Sequence, residues 1–171
     1  QMAKHRGEVP DIDPNAIPND CGVFPRISKP YVMEEKPCPP LKRPLILQVT
    51  TYTESAGVWA KDILEKAGCA IELVPVRFED TLNNGMEEQE CDFFFHGEVF
   101  EINQSFSFFQ FLFGGSSPLN TVLKKLIDKD AFLKRYAMTP VTEWMELHLS
   151  IERLLIESSL MIPLKKKKKS F

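Results

Sequence analysis

Pro44-Leu45-Ile46-Leu47-Gln48-Val49-Thr50-Thr51-Tyr52 is an apolar, β-branched run that decides how the rest of the chain is read. Such a run predicts a strand buried on both faces. Downstream, Ala56, Trp59, Ala60, Ile63, Leu64 and Ala67 recur at three- and four-residue steps and so share one helix face. Glu54 and Ser55 suit the start of that helix, and Gly68 suits its stop. Ala70-Ile71-Glu72-Leu73-Val74-Pro75-Val76-Arg77-Phe78 then predicts a second strand, with Pro75 marking an edge or a bulge. Strand, amphipathic helix and strand of these lengths make a βαβ unit. Its two strands are expected to run parallel, joined by a right-handed crossover.

Beyond this unit, Thr81 to Gln89 is polar and reads as a short helix or loop. Cys91-Asp92-Phe93-Phe94-Phe95-His96-Gly97-Glu98-Val99 reads as a third buried strand. Phe106, Phe109 and Phe113 lie at helical spacing before Gly114-Gly115. Ser117 and Pro118 suit the opening of a helix from Leu119 to Leu126, and Asp130 to Tyr136 continues helical. Glu143 to Ser158 carries Trp144, Leu147, His148, Ile151, Leu154 and Leu155 on one stripe. Leu160-Met161-Ile162-Pro163-Leu164 reads as a short strand, and Lys165 to Lys169 as a solvated lysine tail. In the other direction, eight prolines fall in the first forty positions and forbid a long helix there. The expected organisation is a proline-rich arm or connection at 1–44, an α/β domain at 45–164 and a lysine-rich tail at 165–171.

The chain has 171 residues, 43% hydrophobic and 26% charged, a composition ordinary for a globular protein. Lys and Arg total 21 against 24 Asp and Glu, a formal net charge of -3. That balance lacks the global basic field of a dedicated nucleic-acid binder. No stretch approaches the roughly 20 apolar residues of a spanning helix, so no membrane insertion is expected. The four cysteines, Cys21, Cys38, Cys69 and Cys91, include no C-x-x-C pair. Cys69 and Cys91 read as small buried hydrophobes, a Cys21–Cys38 disulfide is an alternative within the arm, and the pattern leans towards a reduced protein.

The motifs of dinucleotide, P-loop, zincin and serine-hydrolase chemistry are all missing. Gly114-Gly115-Ser116-Ser117 reads as a helix stop followed by a helix start. His148 shares a stripe with Trp144 and Ile151 and reads as a partly buried structural histidine. Ligands of open α/β sheets bind at the carboxyl ends of the strands. That rule selects Tyr52, Thr53 and Glu54 after the first strand, Glu79 and Asp80 after the second, and His96, Glu98 and Glu101 at the third. No catalytic residue, metal or cofactor is expected. Nine of the 13 phenylalanines fall between Phe93 and Phe113, most of them serving a core and a minority lining a pocket or meeting a partner.

Three segments resemble the second lobe of bacterial extracellular solute-binding proteins of the peptide and nickel class, which serve ABC importers. They are Val58-Trp59-Ala60-Lys61-Asp62-Ile63-Leu64-Glu65-Lys66-Ala67-Gly68 with Ile71-Glu72-Leu73, then Glu90 to Glu98, then Leu155 to Leu164. "Gly-Glu-Val" at 97–99 and "Leu-Met-Ile-Pro-Leu" at 160–164 look most like the solute-binding domain of sugar-stress transcriptional regulators. The resemblance implies a three-layer lobe of a type II periplasmic-binding-protein-like fold, with a mainly parallel sheet flanked by helices. It also implies a non-catalytic function: capture or sensing of a small solute, peptide or sugar, shared with a first lobe outside this chain. A regulator would carry an N-terminal DNA-binding domain and be cytoplasmic, the reading slightly preferred. An importer component would be extracellular or periplasmic. Glu98-Val99-Phe100-Glu101-Ile102 departs from the importers' peptide-clamping stretch, and lysines replace the usual aromatic and His after Leu164. Two other classes remain open: an interaction or dimerisation module using Phe106 to Phe113, and a small α/β enzyme built on His96 with Glu98 or Glu101.

Overall fold

The computed structural model describes residues 1–2, 4–10, 16–18, 39–83, 91–95, 112–113 and 120–167. Its centre is a three-stranded sheet of β2 (Leu45–Val49), β3 (Ile71–Pro75) and β4 (Phe93–Phe94), in the order β3-β2-β4. Both neighbours run parallel to β2, with Leu45 opposite Ile71, Val49 opposite Pro75 and Leu47 opposite Phe93. The chain is therefore α/β with a small parallel sheet flanked by helices, and the expected βαβ unit is present. Pro75 sits on an edge strand, where its missing N–H disturbs no ladder.

Helix α1 (Glu54–Lys66) buries Ala56, Gly57, Ala60 and Ile63, the small and apolar side of the predicted stripe. At Gly57 a side chain has no room, because an added Cβ lies 2.4 Å from Val49 Cγ1. The helix thus presses its first turn directly onto the end of β2. It ends where Gly68 takes φ +90°, a conformation that L side chains rarely adopt. Gly68 N–H then donates to Glu65 O at 3.0 Å and Cys69 N–H to Leu64 O at 2.8 Å. Leu47, Val49, Ala60, Cys69 and Ile71 form the buried core here, with Met2, Trp59 and Phe93 among the residues packed against it.

At the amino edge of the sheet, Asp92 acts as a clip. Arg43 donates to both of its carboxylate oxygens, at 2.8 and 3.0 Å, and the Ile46 N–H donates to Oδ2 at 2.7 Å. The Asp92 N–H returns a bond to Ile46 O at 2.9 Å, fixing the register of β4 on β2.

A second core lies among the helices α3 (Asn120–Leu126), α4 (Lys129–Met138) and α5 (Trp144–Glu157), numbered after the short α2 (Phe78–Asn83). Leu112, Phe113, Leu123, Phe132, Tyr136, Leu147, Ile151 and Leu155 fill it. Asp128 caps α4 by accepting from Ala131 N–H at 3.1 Å.

Four expectations need correction. The second strand stops at Pro75, and Phe78 instead opens α2. Leu160 to Leu164 forms no strand, and its Leu160 and Met161 pack on the helical core. The strand comes later, as β5 (Lys165–Lys167), antiparallel to β1 (Ala16–Pro18) with Ala16 opposite Lys167. Finally, Cys69 is buried as expected but is disulfide-bonded, where a plain thiol was expected.

Candidate functional site

The site begins where β2 ends. Thr50 leaves the strand and its backbone N–H donates to Thr53 Oγ1 at 2.9 Å. Thr53 N–H donates back to Thr50 O at 3.0 Å, and Tyr52 N–H reaches Thr50 Oγ1 at 3.3 Å. These bonds close a tight turn across 50–53. They also turn the Thr53 hydroxyl away from α1, so no side chain caps that helix. Tyr52 is carried outward and is 65% exposed.

The neighbouring strand delivers the second half. Val76 N–H donates to Val49 O at 2.8 Å, one step beyond the last pair of β2 and β3, and the chain then turns into α2. Phe78, 47% exposed, meets Tyr52 edge to face, with ring centroids 5.9 Å apart and planes at 81°. Arg77 and Asp80 pair through Nε to Oδ2 at 3.2 Å and Nη2 to Oδ1 at 3.4 Å. Donating to Asp80, beside the charges of Asp80 and Glu79, raises the Arg77 guanidinium pKa above its ordinary value. Glu54 and Glu79 stand exposed beside this ledge.

Of the residues selected from sequence, Tyr52, Thr53, Glu54, Glu79 and Asp80 therefore come together at the carboxyl ends of two adjacent parallel strands. His96, Glu98 and Glu101 lie outside the described residues. Phe78 was read as strand and so was not selected, yet it forms the second wall of the ledge. Phe113 and its neighbour Leu112, at 3% and 0% exposure, belong to the helical core. The remaining members of the Phe106–Phe113 segment lie outside the described residues.

Two titratable groups sit away from this edge, on α5. His148 is half-buried, its ring stacked on Tyr136 at 6.1 Å, and burial lowers its pKa. Glu152, one turn on, is 0% exposed. The stripe alone does not select it, since position 152 lies outside the arc spanned by His148, Ile151 and Leu155, between His148 and the buried Ile156. An open depression lined by Lys124 to Asp130 marks the α3–α4 junction, and no residue selected by the strand-end rule lines it. Among the described residues, no group of three or more His, Cys, Asp or Glu is arranged to hold a metal ion. No described helix is long and apolar enough to cross a membrane.

Chemically, the ledge offers an aromatic wall, hydroxyls and carboxylates, which suit contact with a solute through ring faces and hydrogen bonds. No protein family, curated protein or solved structure matches this chain.

Proposed function

We propose that the chain provides one lobe of a two-lobed solute-binding protein of the peptide and nickel class, and that it captures a small solute without reacting with it. The observation that carries this reading is the strand order β3-β2-β4 with all three strands parallel. An open sheet of that order reverses its winding at the central strand, and the crevice at the carboxyl ends there is where α/β folds hold ligands. Thr50 to Thr53 stands at that point, beside the exposed Tyr52–Phe78 pair.

The antiparallel β1–β5 ribbon supports the same reading. It brings the entry and exit of the domain side by side, an arrangement suited to a two-stranded hinge into a first lobe. In a clamshell the solute touches both lobes, so this chain alone supplies about half of the contacts. A peptide or a sugar is the solute class proposed, with Tyr52, Thr53, Glu54, Glu79, Asp80, His96, Glu98 and Glu101 as contact residues.

Titrating the chain with short peptides and with sugars, while following backbone amide resonances, tests this. Weak, fast-exchange shifts confined to 50–54, 76–80 and 96–101 are expected, and Tyr52→Ala abolishes them. Micromolar binding by the chain alone, or shifts confined to Lys124–Asp130, refutes the half-site reading.

A further inference from the structure

We propose that the ledge selects a solute carrying an ammonium group, held in the corner between Tyr52 and Phe78 and drawn there by Glu54 and Glu79. This rests on the reading of the ledge as the solute site, and it names the chemistry that a peptide and a sugar ligand share. In a peptide the group is a lysine side chain, and in a sugar it is an amino substituent on the ring.

The rings supply the walls. Tyr52 and Phe78 keep about half or more of their surface in solvent, so the core does not account for them. Their planes cross at 81° with centroids 5.9 Å apart, and the pair therefore forms a corner close to a right angle. The face of an aromatic ring attracts a cation placed within about 6 Å of its centroid. In a corner of this width one ammonium reaches both rings. The backbone beneath each wall is anchored in advance, which lowers the cost of ordering it on binding. Tyr52 N–H is bonded to Thr50 Oγ1 at 3.3 Å, and Val76, two residues before Phe78, is bonded to Val49 O at 2.8 Å.

Charge decides among occupants. Glu54 opens α1, Glu79 lies in the first turn of α2, and both are exposed. Arg77, the cation of the ledge, is already bonded to Asp80 through Nε and Nη2. Glu79 adds to the field on Arg77, but neither Glu79 nor Glu54 takes part in an ion pair among the described residues. Glu54, Glu79 and Asp80 against Arg77 leave the ledge net negative. An anionic solute is repelled there, and a neutral one gains only ring contact. An ammonium gains from the walls and the field together. Each gain is small in water, about two- to fivefold for an exposed cation–π contact and about 1.4- to fivefold for an exposed ion pair. Small gains are what half of a clamshell site supplies.

Amide-resonance titrations of the full chain with charged and neutral twins test this at about pH 6, where the amines are protonated. Glucosamine is compared with glucose, and N-acetyl-lysine amide with N-acetyl-norleucine amide. In at least one pair the charged twin is expected to shift the resonances of 50–54 and 76–80 with an affinity about three- to 25-fold above its neutral partner's. The pair that shows it tells an amino sugar from a basic peptide. Phe78→Leu, which keeps an apolar side chain and removes the ring, lowers that preference about two- to fivefold. Glu54→Gln and Glu79→Gln each lower it and flatten its decline between about 0.01 and 1 M salt. Unchanged resonances elsewhere in the chain show that each variant stays folded. Equal affinities of charged and neutral twins at the ledge overturn the ammonium and leave the solute site standing. Four titrations without any shift at the ledge remove the site itself, and the inference with it. A preference that Phe78→Leu and both Gln variants leave untouched also overturns the proposal.

Discussion

Gly57→Ala tests whether the contact between α1 and β2 positions the ledge. An added Cβ lies 2.4 Å from Val49 Cγ1 and 3.5 Å from Leu73 Cδ2. Val49 cannot retreat. It is 4% exposed, sits on the central strand and is stiff at χ1 because it is β-branched. Overpacking of this kind costs about 1–3 kcal/mol, and the helix regains about 1 kcal/mol from replacing glycine. A clash this close belongs at the upper end, so a net loss of about 1–2 kcal/mol is expected. In a chain of this length each kcal/mol lowers the melting temperature by about 2–4 °C. Calorimetry supplies the assay, and Val49→Ala supplies the control. With Cγ1 removed, the alanine at 57 fills the space, so the double variant loses less than the sum of its singles by about 1–2 kcal/mol. Because Gly57 lies in the first turn of α1, the single variant also displaces Thr53 and Glu54 and weakens solute-induced shifts at 50–54. A neutral or stabilised Gly57→Ala, or strict additivity with Val49→Ala, refutes the reasoning.

Gly68→Ala isolates the opposite constraint. Nothing lies within 4 Å of an added Cβ there, but φ is +90°, so the loss of about 1–2 kcal/mol is purely conformational and Asn restores part of it. For Asp92→Ala, the Ile46 N–H loses a charge-assisted partner at 2.7 Å, and solvent access places the cost at the lower end, about 1–2 kcal/mol at pH 7. The Arg43 hydrogen bond is the main cause that holds the Asp92 carboxyl below 3.8 in the folded chain. Its stabilisation is therefore present above that pH and is lost as acid protonates the folded carboxylate. Denaturant titrations of wild type and variant must converge below pH 3.8, and a gap constant to pH 2 contradicts the clip. The two tryptophans give a paired comparison. Trp144 Nε1 donates to Thr139 O at 2.9 Å, whereas the buried Trp59 Nε1 has no hydrogen-bond partner. Trp144→Phe is thus expected to cost about 1 kcal/mol more than Trp59→Phe in urea unfolding, and equal costs argue against it.

What the sequence disclosed follows from which forces are local. Leu45 to Val49, the stripe of α1 and Gly68 declare themselves because periodicity and a positive φ act within a few residues. Strand length does not. Val76 to Phe78 has the composition of β3, but β2 ends at Val49, so after the Val76 bond there is no partner to pair with and the chain turns into α2. That one boundary hid Phe78 from the ledge. The lysines of β5 form a strand against their own propensity, because Ala16 to Pro18 supplies a partner some 150 positions away in sequence. Cys69 is the same case in covalent form, since spacing never specifies connectivity. The carboxyl edge was legible because a parallel sheet fixes where strands end, whatever their side chains are. Which side chains line that edge depends on pairings between distant segments, and the contact of Tyr52 with Phe78 rests on one of them, the bond from Val76 to Val49.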